Sequence, residues 1–165
     1  MASRKGIGVT IAVLVGVVIA SFLVYLIPED TTMKITVSDF EKHLDDIDEK
    51  TSMLSTAIEK PFDDLINQKL SADEYFDIAT ATQTQINSLI IELTSSGAPQ
   101  EWTESYVNYI GALKKLNEKI TETIIVANLM SNDNNSNSIN EIIAKIHQLE
   151  IESQDLMKKS DDARP

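Results

Sequence analysis

WTESYVNYIGALKKLNEKITETIIVANLM, Trp102 to Met130, decides the fold of this chain. Trp102, Tyr106, Tyr109, Leu113, Leu116, Ile120, Thr123, Ala127 and Met130 advance by alternating steps of four and three. That spacing keeps apolar and small side chains on one face of an α-helix. A helix with one such stripe is stable only when the stripe is buried against others.

Similar stripes lie on both sides. Upstream, Ser71 and Glu74 have capping-box spacing and open a segment striped by Phe76, Ala79, Gln83, Ile86, Ile90 and Leu93. TSSGAP ends it, with Gly97 as the stop and Pro99 suited to the first turn of the next helix. Further upstream, Ser38 and Glu41 repeat the capping-box spacing before Phe40, Leu44, Ile47, Thr51, Leu54 and Ile58. Pro61 should interrupt that segment, making PFDDLI a kinked continuation or a separate turn. Downstream, SNDNNSNS (131–138) reads as a loop. Ile139, Ile142, Ile146, Leu149, Ser153 and Leu156 then form a last stripe, and KKSDDARP reads as a frayed tail. Strand signals are almost absent. The expected fold is all-α, an antiparallel four-helix bundle over residues 38–160 with a tail at 161–165. An elongated coiled coil of several chains is the alternative.

APQEWTESYVNYIGALKKL, residues 98–116, resembles small secreted or singly anchored helical-bundle proteins of archaeal type. In those proteins a proline-led helix carries aromatic residues at i+3 and i+7, here Trp102 and Tyr106. The resemblance implies a fold and no activity.

Ile7 to Ile27 is a run of 21 residues without a charge. As a helix rising ~1.5 Å per residue it spans about 31 Å, the thickness of a bilayer's hydrocarbon core. A signal peptide cut before Ser21 is the rival, but SFLVYLI extends the apolar run beyond the usual length of a signal's hydrophobic region. The run therefore reads as a transmembrane anchor at 7–27, followed by a linker at 28–37. Arg4 and Lys5 precede it and Glu29 and Asp30 follow it. The flanks leave residues 1–6 in the cytoplasm and the bundle outside the cell membrane, with Tyr25 at the outer headgroup level. SRKGIGVTIAVLVGVVIA also resembles the processing site of archaeal pilins and archaellins, which implies cleavage after Gly6 as an alternative. The early acidic residue of many pilins is missing.

Within the run, the only glycines and alanines are Gly8, Ala12, Gly16 and Ala20, all in one i, i+4 row. A groove of small residues lets another helix approach closely in lipid, so this row is the candidate interface with another membrane protein or a second copy.

The chain has a net charge of −12. Beyond Ile27, 12 basic against 26 acidic residues leave −14, which argues against nucleic acid as a partner. With no cysteine, disulfides and thiolate chemistry are excluded. None of the glycines, Gly6, Gly8, Gly16, Gly97 and Gly111, forms a phosphate-cradling loop. His43 and His147 fall beside core positions and read as flank residues half in solvent. Asp45, Asp46, Asp48 and Glu49 are scattered around the helix, and Met53, Met130 and Met157 read as core filler, so neither metal nor cofactor is expected. Asn134-Asn135-Ser136 is an acceptor pattern for N-linked glycan, with Asn134 the candidate.

These readings converge on a non-enzymatic, membrane-anchored accessory or interaction subunit. A ligand-binding, sensor-like bundle with a pocket lined by Trp102, Tyr106 and Tyr109 is the second reading.

Overall fold

All four expected helices form. In the computed structural model, which describes residues 39–131 and 136–165, α1 spans Phe40–Ile66, α2 Ala72–Ser95, α3 Thr103–Ser131 and α4 Ser136–Asp162. A short 3-10 turn, Gln100–Trp102, leads into α3. No strand occurs among the described residues, which form a helical bundle. The expected anchor, linker and amino terminus, with Gly8, Ala12, Gly16 and Ala20, lie outside the described residues, as does Asn134. Among the described residues no helix is long and apolar enough to cross a membrane.

The start of α1 differs from expectation by one residue. Its cap is Asp39, whose carboxylate accepts the Lys42 amide at 3.0 Å, while the expected cap, Ser38, lies outside the described residues. Pro61 does not interrupt α1, which continues to Ile66. The carbonyl that Pro61 leaves without its helical donor belongs to Ala57, an exposed residue open to water. Leu44, Ile47, Thr51, Ile58 and Leu65 are the buried face.

α1 ends in a Schellman arrangement. The Gln68 amide donates to the Leu65 carbonyl at 2.9 Å and the Lys69 amide to the Asp64 carbonyl at 2.7 Å. Closing that loop puts Gln68 at φ 57°, the left-handed region that glycine adopts without a Cβ penalty. Gln68→Gly should therefore raise stability, by roughly 0.5–1 kcal/mol, read as a higher urea midpoint with an unchanged slope.

α2 opens as expected. The Glu74 amide donates to Ser71 Oγ at 3.3 Å, and the Ser71 amide donates to Glu74 Oε2 at 3.1 Å. Its buried face, however, is Tyr75, Ala79, Thr82, Ile86, Leu89 and Leu93, so Phe76 and Gln83 do not lead the stripe. Phe76 is 48 % exposed, whereas Tyr75 is fully buried. The Tyr75 hydroxyl decides the rotation by donating to Thr123 Oγ1 on α3, while its ring packs on Phe62 at 5.7 Å between centroids. Gln83 sits at the edge and donates to Thr121 Oγ1 at 2.8 Å. Gly97 ends the segment at φ +66°. Pro99 opens the 3-10 turn rather than the α-helix itself, its carbonyl accepting the Trp102 amide at 2.9 Å.

α3 is the centre of the bundle, in contact with each of the other helices. Tyr106, Tyr109, Leu113, Leu116, Ile120, Thr123 and Ala127 are buried, as the stripe requires. A second row, Ser105, Ala112, Lys119 and Val126, is buried as well. This row, seven residues apart, meets α4, whose Ile139, Ile146, Ser153 and Ser160 have the same spacing. Small side chains bring the two backbones together: Ser153 Oγ donates to the Ala112 carbonyl at 2.9 Å, and Ser105 Oγ lies 3.1 Å from Ser160 Oγ. Ion pairs flank the seam at Lys115–Glu152 (3.0 Å), Lys119–Glu150 (3.1 Å) and Glu122–Lys145 (2.7 Å).

The carboxyl-terminal residues expected to fray are docked. α4 continues through Asp162, and the Arg164 guanidinium reaches Asp45 on α1 at 2.6 Å and Asp161 at 2.9 Å. One remote carboxylate, Asp45, and one local, Asp161, thus hold Arg164 in a way that composition does not anticipate.

Candidate functional site

Two polar features stand out on the apolar frame. The first joins the start of α1, the end of α2 and the start of α3. His43 Nδ1 lies 2.8 Å from the Tyr106 hydroxyl and Nε2 lies 3.2 Å from Glu92 Oε1, and the Lys50 ammonium stands 3.5 Å from Glu92 Oε2. The Tyr106 hydroxyl also lies 3.3 Å from the Phe40 carbonyl. Phe40 and Trp102 pack on the Tyr106 ring, Trp102 edge-on at 6.4 Å and Phe40 edge-on at 5.9 Å. His43 is therefore not a flank residue half in solvent: its side chain is 12 % exposed, whereas that of His147 is 70 % exposed.

Burial pushes the Tyr106 hydroxyl up to about 12, so it stays protonated at neutral pH and is no activated nucleophile. Glu92 is held below the ordinary carboxylate range, first by its hydrogen bond to His43 and then by the nearby Lys50. A carboxyl with a depressed folded value adds stability above its ordinary value near 4.5, and loses it as pH falls through the folded value. The melting temperature of the native chain should thus fall more steeply than that of Glu92→Gln as the pH is lowered below about 4.5. Equal slopes would remove Glu92 from the acid response.

The second feature is a cleft of about 270 Å³ between α1 and α4, floored by α3. Asp48, Thr51, Ser52, Ser55 and Glu59 line one wall, Glu150, Ser153, Gln154 and Met157 the other, and Leu116 and Lys119 the floor. Both walls carry carboxylates, Asp48 and Glu59 on α1 and Glu150 on α4. Lys119 is the lone cation of the lining, its side chain 9 % exposed and held by Glu150.

The aromatic residues expected to line a pocket do not line this cleft. The Tyr106 hydroxyl is committed to the His43 network, and Tyr109 donates to Asp48 Oδ1 at 2.8 Å from a buried position that pushes its own ionisation far up. Trp102 is half-buried against Phe40. Met130 and Met157 pack against the core as expected, but Met53 is 61 % exposed because it projects from the outer face of α1. Among the described residues no group of three or more histidine and carboxylate side chains could hold a metal ion.

Sequence reasoning missed Lys119, which lies off the stripe expected for α3; Ser153 is on the stripe expected for α4, but its bond to the Ala112 carbonyl has no local signal. The only signal for Lys119 is the seven-residue spacing Ser105, Ala112, Lys119, Val126. Comparison with protein-family models, with curated proteins and with solved structures gives no match.

Proposed function

We propose that this chain is a non-enzymatic, singly membrane-anchored protein. Residues 1–6 are cytoplasmic, residues 7–27 cross the cell membrane, and residues 38–160 stand outside as an antiparallel four-helix bundle. It serves as an accessory or interaction subunit, and its anchor packs on another membrane protein or a second copy. The observation that carries this reading is the row Gly8, Ala12, Gly16 and Ala20 within a run of 21 uncharged residues. Support for the antiparallel order comes from contacts that pair the start of one helix with the end of its neighbour: His43 with Glu92, Tyr75 with Thr123 and Ser105 with Ser160.

Purification of the full-length chain in mild detergent, with mass spectrometry of cross-linked and co-purifying chains, tests the reading. A membrane protein or a second copy cross-linked through residues 7–27 is the expected result; a lone monomer would sink it. The mass of the same material should include Met1 to Gly6, which separates this reading from a pilin-like protein processed after Gly6.

The α1–α4 cleft favours a second reading, a sensor-like bundle that binds a small polar ligand. A thermal-stabilisation screen of small organic compounds separates the two. A compound that raises the melting point of the native chain but not of Ser55→Leu would support the ligand-binding reading.

A further inference from the structure

The three contacts around His43 and Tyr106 cannot all be hydrogen bonds in one protonation state of the imidazole and still be the same bonds in the other. Glu92 is ionised and accepts only, so the Nε2 that faces it must carry a proton. In a neutral ring Nδ1 is then bare and must accept from the Tyr106 hydroxyl, whose single proton is no longer available to the Phe40 carbonyl, leaving that carbonyl only its helical donor. In the cationic ring Nδ1 donates to the Tyr106 oxygen, and the hydroxyl proton is free to bond the Phe40 carbonyl. Only the cation satisfies all three contacts at once.

We propose that His43 is a proton-operated switch in which protonation moves the Tyr106 hydroxyl from the imidazole to the Phe40 carbonyl, fastening the first turn of α1 to α3. The charged and titratable groups around it come from every side. Asp39 and Lys50 belong to the α1 region, Glu92 to α2, Tyr106 to α3, and Arg164 follows α4 and acts on Tyr106 through space. The Tyr106 hydroxyl keeps its proton throughout, since it ionises far above the range in which histidines change charge.

The chain carries its own reporter. Trp102 is the only tryptophan, and its ring packs edge-on to Tyr106 and against Phe40, the two residues whose bond is made or released. Fluorescence of the full-length chain, recorded from about pH 8 to 5, should show a one-proton step in tryptophan emission. The step should coincide with the titration of the His43 ring followed by nitrogen NMR. It should vanish in His43→Gln and in Tyr106→Phe and persist in His147→Gln. In the native chain at the high-pH end, the neutral His43 ring should carry its proton on Nε2, a measurement that needs no variant. Emission that stays flat while His43 titrates would overturn the proposal. So would a step that survives His43→Gln, or a neutral ring protonated on Nδ1.

Discussion

Leu113→Ala should cost about 2–5 kcal/mol of unfolding free energy, the range for removing a fully buried leucine from a packed core. Leu113 has no exposed surface and lies midway along α3, on the stripe that α1 and α2 cover. Buried residues one turn away on the same face, Tyr109 and Leu116, can close only part of the space left behind, so the upper half of that range is expected. Urea unfolding followed by far-ultraviolet dichroism checks it. A loss below about 1 kcal/mol would mean that this stripe does not form the bundle's centre.

Ala112→Leu should be costly for the opposite reason. Ala112 is fully buried, and its carbonyl accepts the Ser153 hydroxyl at 2.9 Å, so the α3 and α4 backbones leave no room for three more carbons. Overpacking of this kind costs about 1–3 kcal/mol, here by pushing α4 away from α3. Hydrogen exchange should speed up in α4 and at the start of α3, while the α1–α2 pairing around Leu44 and Leu93 stays protected. If Ala112 lay on an exposed face, as the single stripe of α3 suggests, the substitution would be neutral.

That contrast shows how far the sequence could be read. The alternation from Trp102 to Met130 announces a helix and one buried face, and those residues are where the pattern puts them. The second row, Ser105, Ala112, Lys119 and Val126, mixes a hydroxyl, a methyl, a cation and a branched chain, and no hydropathy pattern marks it as buried. It is buried because α4 presents Ser153 and Ser160 opposite it, and because Glu150 neutralises Lys119. The phase of α2 was undecidable locally, since Tyr75 and Phe76 are adjacent aromatic residues. A hydroxyl on α3, 48 positions away, selects Tyr75. His43 looked like a solvated flank because both of its ring partners, Glu92 and Tyr106, are remote in sequence. The cleft is hidden for a related reason: it forms where Thr51 and Ser153, small polar members of the α1 and α4 stripes, stand over Leu116 and Lys119 of α3, and neither helix alone marks a cavity.

Local chemistry was legible where the partners are close in sequence. The Ser71–Glu74 capping box needs only three residues, and Gly97 acts through its own φ. The Schellman turn at Gln68 is equally local, but glutamine conceals it where glycine would have signalled it.

The proposed anchor interface can be measured without the bundle. A membrane-association reporter carrying residues 7–27 should give a strong signal with the native row and lose most of it with Gly16→Ile, because a branched side chain in the middle of the row blocks close approach of a second helix. Equal signals from the two would contradict an interface along Gly8, Ala12, Gly16 and Ala20.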